Sequence, residues 1–593
     1  MSSFFSKLTE GIEDVLSIRK DSTGIHPCPE AMYQWDYPAA VNPLAVATAP
    51  PPCDFPTLDW TLKVAKQLLI SKVNGIAIEA SEKVKQDLED KMADLKKAVD
   101  AGEVGVALLK SIASDVTQHG MLEGAGDRPK SLDDFNELFK VIALPPIAND
   151  FQKDEVFAWM RVGGANPLMI HRVTQVPDKF PVTEAHFQAV LAGDSLAGAL
   201  AEGRVYFVDY EPLDKLAVAP AGKYPQKYHY APMALFAEAK GTGTLLPIAI
   251  QTQQTPDGRN LFIADGSHNW MIAKTIVQMA DGNFHEAVSH LGRTHFLIEP
   301  FVVATGRILG KDHPVSRLLW PHFEGTLFIN YSALHSLVAP GGGVEQILMP
   351  TLDATLSMTS GQLQNYPINQ QFLPKTFAAR DVNDLKVYPY RDDSKLYWNA
   401  IEAWVKDYIE LFYSGDENTG NQKVQNDALL QSWCNELIAS GHVVGFSEGG
   451  RILTRDYLVQ AVTMIIFTAS VQHAAVNFPQ LDFFTYAPNL PGACYAQFPK
   501  ADGTPATEQD YIDMLPNRSQ SIGQLDLAFL LGSAHYTELG QYPANYFSGV
   551  GIPMVQKFQA NIAAAGATID TRNLTRRPYK TLKPTGIPQS INI

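Results

Sequence analysis

HEAVSHLGRTHFLIEPF, residues 285–301, decides how the rest of the chain is read. It sets His285, His290 and His295 five residues apart in a mostly apolar segment. A regular α-helix turns about 100° per residue, so side chains five apart diverge by roughly 140°. Two such histidines can share one metal only if a π-type bulge widens the turn, and such bulges concentrate at functional sites. The spacing is one residue too long for the zinc-protease helix H-E-x-x-H, whose i, i+4 histidines already share a face. Three packed or surface histidines on a long helix would produce the same string. This stretch alone leaves both readings open.

A second stretch, SVQHAAVNFPQ at 470–480, places His473 and Asn477 at i, i+4 on one helix face. The sequence ends in SINI, with a carboxylate on Ile593. Imidazoles, an amide oxygen and a carboxylate without thiolate form a donor set for non-haem iron or manganese with an open position, more than for structural zinc. A zinc hydrolase is further disfavoured because no acid–base glutamate sits between closely spaced ligands.

With these residues in view the chain resembles the lipoxygenase family. The resemblance rests on H-E-x-x-x-H-x-x-x-T-H followed by IEPF, on HPVSRLLWPHFEGTLFIN, HAAVNFPQ and LGQYPANYFSG, and on the terminal PQSINI. It runs from about Pro56 to the last residue in the family's order. It implies a mainly α fold, a large catalytic domain at 56–593 with long central metal-binding helices, one carrying a π-bulge, and a few short β-strands. Residues 1–55 would form an amphipathic helix and a proline-rich arm.

The resemblance assigns the metal ligands as His290 and His295, not His285, together with His473, Asn477 and the carboxylate of Ile593. Spacing cannot choose between the two i, i+5 pairs; the family pattern does. It favours one iron per chain over manganese, because four residues separate the paired histidines. Glu286 and Gln480 fall where the family bridges its two metal helices behind the ligands. The implied reaction is dioxygenation of a polyunsaturated fatty acid with a (1Z,4Z)-pentadiene: a ferric hydroxide removes the bisallylic hydrogen, O2 adds, and a hydroperoxide results. The alternatives are a hydroperoxide isomerase forming epoxy alcohols, or a fatty-acid-binding relative weak in catalysis. No G-x-S-x-G and no P-loop signals another chemistry, and no organic cofactor is implied.

Matching the family, Leu337 and Leu531 would clamp the pentadiene beside the metal. Ala333 stands where alanine accompanies S-stereochemistry. Gly282, Ile347 and Leu348 align with residues that set how far the fatty acid enters, and the small Gly282 implies a deep tunnel. Leu334 replaces the arginine that often follows the stereochemical position, so no partner for the substrate carboxylate is assigned. His313, His322 and His335 read as packed or capping.

Bulk properties limit the partners. The net charge of −16 argues against nucleic-acid binding and against adhesion to anionic membrane by charge alone. No unbroken run of 18 apolar residues appears, and the N-terminus lacks signal-peptide order. The four cysteines, Cys28, Cys53, Cys434 and Cys494, are scattered and read as reduced thiols of a cytoplasmic, monomeric protein. Residues 1–20 carry Phe4, Phe5, Leu8, Ile12, Val15 and Leu16 near helical spacing opposite Lys7, Glu10, Glu13 and Asp14. They read as a helix packed on the protein, with peripheral membrane contact as the second reading.

APPPCDFP at 49–56 breaks any helix. From Thr57 to Gln118 the alternating charges read as solvated helix, with none of the period-2 strands of the β-sandwich that begins many eukaryotic relatives. This speaks against calcium-dependent membrane targeting. SLDDFNELF, FAWMRVGGANPLMIHRV, YFVDYEPLD and LLPIAIQTQQTP continue the resemblance. VYFVDYEPL and LLPIAIQTQ read as strands. YSGDENTGNQ at 413–422 reads as a polar loop.

Overall fold

The computed structural model describes residues 27–79 and 128–593, except 221, 223, 501, 502, 544, 545, 548 and 550. The helix expected at 1–20 and most of the charged stretch after Glu79 lie outside the described residues. The fold is mainly α, as the sequence implies, with a small sheet at one side.

The organising element is one long helical rod of four consecutive segments: α-helix His268–Phe284, π-helix His285–Phe296, α-helix Leu297–Ala304 and π-helix Thr305–Leu309. Ser267 starts it by accepting the Trp270 N–H, which satisfies one of the orphan donors of a helix start. From Ile272 onward the α part is buried on every side, as a helix through a large core must be. The π geometry spans 12 residues, wider than the single bulge the histidine spacing requires. Pro300 sits inside the rod and contributes no N–H, so a carbonyl one turn back loses its donor.

A second rod crosses the first. It runs through Arg455–Phe467, the π segment Thr468–Gln472, His473–Asn477 and a further π segment, Gln480–Phe484. Taken as Arg455–Phe484 it is long and apolar enough to span a membrane, yet 89% of its apolar stretch is buried inside the protein. It is a core helix.

Buried polar groups fix how the rods sit. Asp281 pairs with Arg161 at 3.2 Å and accepts from Asn166 and the Tyr210 hydroxyl. Asn166 in turn accepts from Ser289 in the π segment. These residues join helix Asp154–Gly163 and the end of a strand to the first rod. Helix Leu352–Gln364 lies against the π segment, where Thr359 donates to the Ala287 carbonyl. A Cβ at Gly292 would meet Leu363 and Thr359 at 3.0 and 3.2 Å, so glycine permits this approach.

Five antiparallel strands form the sheet in sequence order: His171–Arg172, Val205–Asp209, Met233–Glu238, Leu245–Gln251 and Leu261–Ile263. Both strands expected from VYFVDYEPL and LLPIAIQTQ are present. The sheet is covered on one face by helices Glu184–Val190 and Leu196–Ala201, around Phe180, Phe187 and Phe207.

Two expectations need correction. Cys28 and Cys53 are joined by a disulfide, with Cα atoms 5.8 Å apart, while Cys434 and Cys494 are free and buried. The arm from Cys28 to Cys53 folds back on itself, a proximity that scattered spacing cannot reveal. Within 413–422 the polar stretch becomes helical from Glu417, because Asp416 caps it by accepting the Thr419 N–H. The three remaining histidines are packed or capping as expected: His313 caps the start of helix Pro314–Leu319, His322 is buried against the Gln589 carbonyl, and His335, although exposed, closes the C-terminus of helix Thr326–Leu334 with its ring on the Tyr331 carbonyl.

The proline-rich arm is not loose. Tyr33, Val41, Leu44 and Val46 enter the main core. Asp54 accepts the N–H groups of Gly325 and Phe328 at the start of helix Thr326–Leu334.

Candidate metal centre

The π segment does what the spacing demands. With i→i+5 hydrogen bonding, residues five apart return to the same side. His290 and His295 therefore face each other, Nε2 to Nε2, at 3.2 Å. His473 enters from the second rod, its ring centroid 5.4 Å from His290 and 5.1 Å from His295. One nitrogen from each of the three lies within 4.8 Å of the others, and all three rings are buried.

Neighbouring groups decide where the ring protons sit. Asn330 donates through Nδ2 to the His295 carbonyl at 3.0 Å and to Glu299 at 2.8 Å. Its Oδ1 is thereby turned to His295 Nδ1, 2.8 Å away, so Nδ1 must be the donor and Nε2 keeps its lone pair. Glu286 reaches His290 Nδ1 at 3.5 Å and His285 at 3.2 Å, so the His290 proton is held on Nδ1 as well. Two Nε2 lone pairs then oppose each other at 3.2 Å, and the His473 ring meets no side-chain hydrogen-bond partner among the described residues, only the backbone of Ile593. Such an arrangement is satisfied by a cation among the three rings. The residues fit a metal.

Electrostatics agree. Burial, reinforced by the neighbouring imidazoles, holds His473 well below the usual histidine range. Burial and His290 push His295 down to about 3. Neutral imidazole is the form that binds metal. Burial opposes ionisation of Glu286, but His285 and His290 outweigh it and bring its carboxyl down to about 2.

The remaining expected site residues fall around this centre. Asn477 is buried one helical turn from His473, donates to the Leu531 carbonyl at 2.9 Å, and accepts from Gln480 at 3.2 Å. Glu286 touches His285 and His290 on its own rod, and Gln480 touches Asn477 on its own; the bridge between the two rods implied for this pair is not among the contacts of the described residues. Ile593 is buried and its backbone faces the His473 ring. The tail reaches this point because Thr326 donates to the Ile591 carbonyl and Trp60 to that of Asn592. His285, outside the expected set, is turned to the Val476 carbonyl and ties the two rods together.

The expected substrate residues form two groups. Leu337 lies against Gly343, and Leu531 is placed beside Asn477 by its carbonyl. Ala333 is half-buried on helix Thr326–Leu334. Ile347 and Leu348 are buried, Ile347 against Gly492, and Asn283 links this wall to the first rod through Met349 and Gly492. The space beside Gly282 is occupied: a Cβ there would meet Leu490 at 3.4 Å and Phe484 at 3.5 Å. The void expected from a glycine is filled by neighbouring side chains.

Asn330 and Glu299 were not singled out from the sequence. Both lie inside quoted motifs, IEPF and HPVSRLLWPHFEGTLFIN, and Glu299 stands at i+4 from His295. Asn330 gave no local signal, since its contact to His295 spans 35 residues.

Comparison with known proteins follows the same lines. A family model described as Lipoxygenase matches residues 71–588. The linoleate 9/13-lipoxygenase of Pseudomonas aeruginosa is 36% identical, the match covering 94% of this chain and 88% of that protein. The polyunsaturated fatty acid lipoxygenase ALOX15B of Homo sapiens is 34% identical, with 78% of this chain and 69% of that protein covered. Among solved structures, a lipoxygenase crystallised anaerobically in complex with arachidonate superposes with a TM-score of 0.79 at 26% identity, covering 98% of this chain and 81% of its own.

Proposed function

The chain belongs to the lipoxygenase family of dioxygenases, and from that premise we propose that it converts polyunsaturated fatty acids with a (1Z,4Z)-pentadiene and O2 into hydroperoxides. We assign one iron to His290, His295 and His473, with Asn477 and the carboxylate of Ile593 completing the donor set. The observation that carries this reading is the buried trio of neutral imidazoles whose inward lone pairs meet no other side-chain partner among the described residues. Nitrogen and oxygen donors without thiolate suit iron.

Iron bound there supplies the one-electron redox chemistry that breaks a bisallylic C–H bond. The chain's own residues orient and protect. Asn330 and Glu286 lock the His295 and His290 tautomers, and Glu299 holds Asn330 in register. Groups placed behind metal ligands in this way orient them and raise their basicity. Leu337 and Leu531 hold the pentadiene against the centre and exclude water, as apolar lining does in lipid pockets. Ala333 shields one end of the pentadiene from O2 and directs S-stereochemistry. Ile347 and Leu348 form the wall that limits how far the chain enters.

The test is incubation of the purified protein with linoleic, α-linolenic and arachidonic acids, following oxygen uptake, conjugated-diene absorbance and chiral product analysis, with iron measured on the same sample. Iron near one per chain and oxygen uptake with diene formation are expected. Oxygen-independent conversion of fatty-acid hydroperoxides would transfer the assignment to a hydroperoxide isomerase. A protein that binds fatty acid but neither holds iron nor consumes oxygen would refute it.

A further inference from the structure

On the side of the π segment turned away from the imidazoles lies a cavity of about 260 Å³ that takes no part in the chemistry above. We propose that it binds an oxyanion, a carboxylate or phosphate group carried by a small polar molecule. This assignment goes beyond the dioxygenase reading and does not depend on it.

Arg293 stands three residues after His290 and two before His295. One π turn returns after five residues, so its side chain projects away from the ring nitrogens. The guanidinium lies over the Tyr366 ring at 4.5 Å and the Phe284 ring at 5.5 Å, and it donates to the Gln362 amide oxygen at 3.4 Å. Across the cavity stands Arg380, which donates to the Ile170 carbonyl and the Tyr388 hydroxyl. The adjacent Asp381 and Asp384 are both engaged by Arg172.

No aspartate or glutamate lines the cavity. Beside Arg293 stand the neutral Tyr366 and Arg380, and among the described residues no carboxylate lies within ion-pair distance of either guanidinium, Asp381 and Asp384 being paired with Arg172. Two guanidiniums lining one cavity repel each other, and an anion between them removes that cost.

The hydrogen-bond inventory points the same way. Arg293 Nε is buried without an acceptor. The Tyr390 hydroxyl donates to Gln472 Oε1, which turns Gln472 Nε2 the other way, and that nitrogen also lacks an acceptor. Buried donors left unpaired are costly, and these two belong to residues that line one cavity. An oxyanion offers several lone pairs, and guanidinium binds it through paired N–H groups. The two donors come from different rods, Arg293 beside His295 and Gln472 beside His473, so an occupant would join the two elements that carry the imidazoles.

The experiment is isothermal titration of the metal-loaded protein with inorganic phosphate, with succinate and with oleate, at constant ionic strength against sodium chloride. One saturable site for phosphate or succinate is expected, and Arg380→Gln should weaken it at least about tenfold. Saturation by oleate alone, weakened in the same variant, would retain the oxyanion chemistry and identify a lipid carboxylate as its source. Gln371→Glu, which brings a carboxylate to the cavity wall while keeping both arginines, should raise the unfolding temperature and blunt the phosphate response. Responses no larger than that to chloride, or unchanged affinity in both variants, would overturn the assignment.

Discussion

Replacing Asn330 with alanine tests the proton arrangement on which the metal centre depends. The side chain makes three buried contacts: from Nδ2 to the His295 carbonyl at 3.0 Å, from Nδ2 to Glu299 at 2.8 Å, and from Oδ1 to His295 Nδ1 at 2.8 Å. Truncation leaves the His295 carbonyl, His295 Nδ1 and one Glu299 oxygen without partners in a dry site. A buried polar group left unsatisfied costs roughly 1–3 kcal/mol, so a total of about 3–5 kcal/mol is expected after partial relaxation. Glu299 makes the loss sharper, because burial has already pushed its carboxyl up to about 7 and Asn330 is one of the two donors opposing that push. Freed of Asn330, the His295 ring can flip or change tautomer, and metal affinity should fall about 10- to 100-fold. Chemical denaturation gives the stability term, and competition with a chelator gives the affinity term. Asn330→Asp supplies a control of equal size that turns an acceptor toward Glu299 and the His295 carbonyl, and it should be at least as damaging. Wild-type iron affinity in Asn330→Ala would refute the role assigned to Asn330, even if the protein were destabilised. Unchanged stability would refute the hydrogen-bond reasoning itself.

Other expectations are open to direct measurement. Appending one alanine after Ile593 moves the carboxylate about 3.8 Å along the chain while the Trp60 and Thr326 contacts to the tail remain available; iron content and oxygen uptake should both collapse, and full retention of either would remove Ile593 from the donor set. Asp54 is fully buried and its carboxyl is pushed up to about 7 from the ordinary 3.8. Its stabilising contribution is therefore complete below about pH 4 and lost as pH rises through 7, by up to about 4 kcal/mol. Asp54→Asn should flatten that window, and denaturation curves of the two proteins that keep a constant separation from pH 4 to 8 would contradict it. At Gly282 a methyl group meets Leu490 and Phe484 at ordinary contact distance, so Gly282→Ala should be neutral or stabilising by up to about 1 kcal/mol. Gly282→Phe has no space and should cost about 1–3 kcal/mol; thermal unfolding of the pair checks both.

What could be read in advance depended on whether the information was local. The i, i+5 histidines carried their own geometric problem, and the only helical solution for a shared ligand set is the one the backbone adopts from His285 to Phe296. The two strands were equally local, since runs of apolar residues bounded by turn residues state their conformation directly. Which pair of the three histidines points inward was not local. His285 and His290 are spaced like His290 and His295, and the choice is made by Asn330 and Glu286, which pin two protons, and by the Val476 carbonyl, which claims His285. The family resemblance supplied that choice where spacing could not.

The disulfide and the filling of the space beside Gly282 escaped for the same reason: each is a meeting of segments whose approach is set by the packed core. Cys28 meets Cys53 because the arm between them is anchored by Tyr33, Val41 and Val46 in that core. Gly282 packs against Phe484 at the end of the second rod and against Leu490 in the turn beyond it, so a small residue marks a close contact there. The distinction has a consequence for substrate depth. If the wall at Ile347 and Leu348 and not Gly282 limits how far a fatty acid enters, trimming Leu348 to alanine should move the oxygenated carbon. Substitution at Gly282 should act through stability and leave the ratio of positional products unchanged.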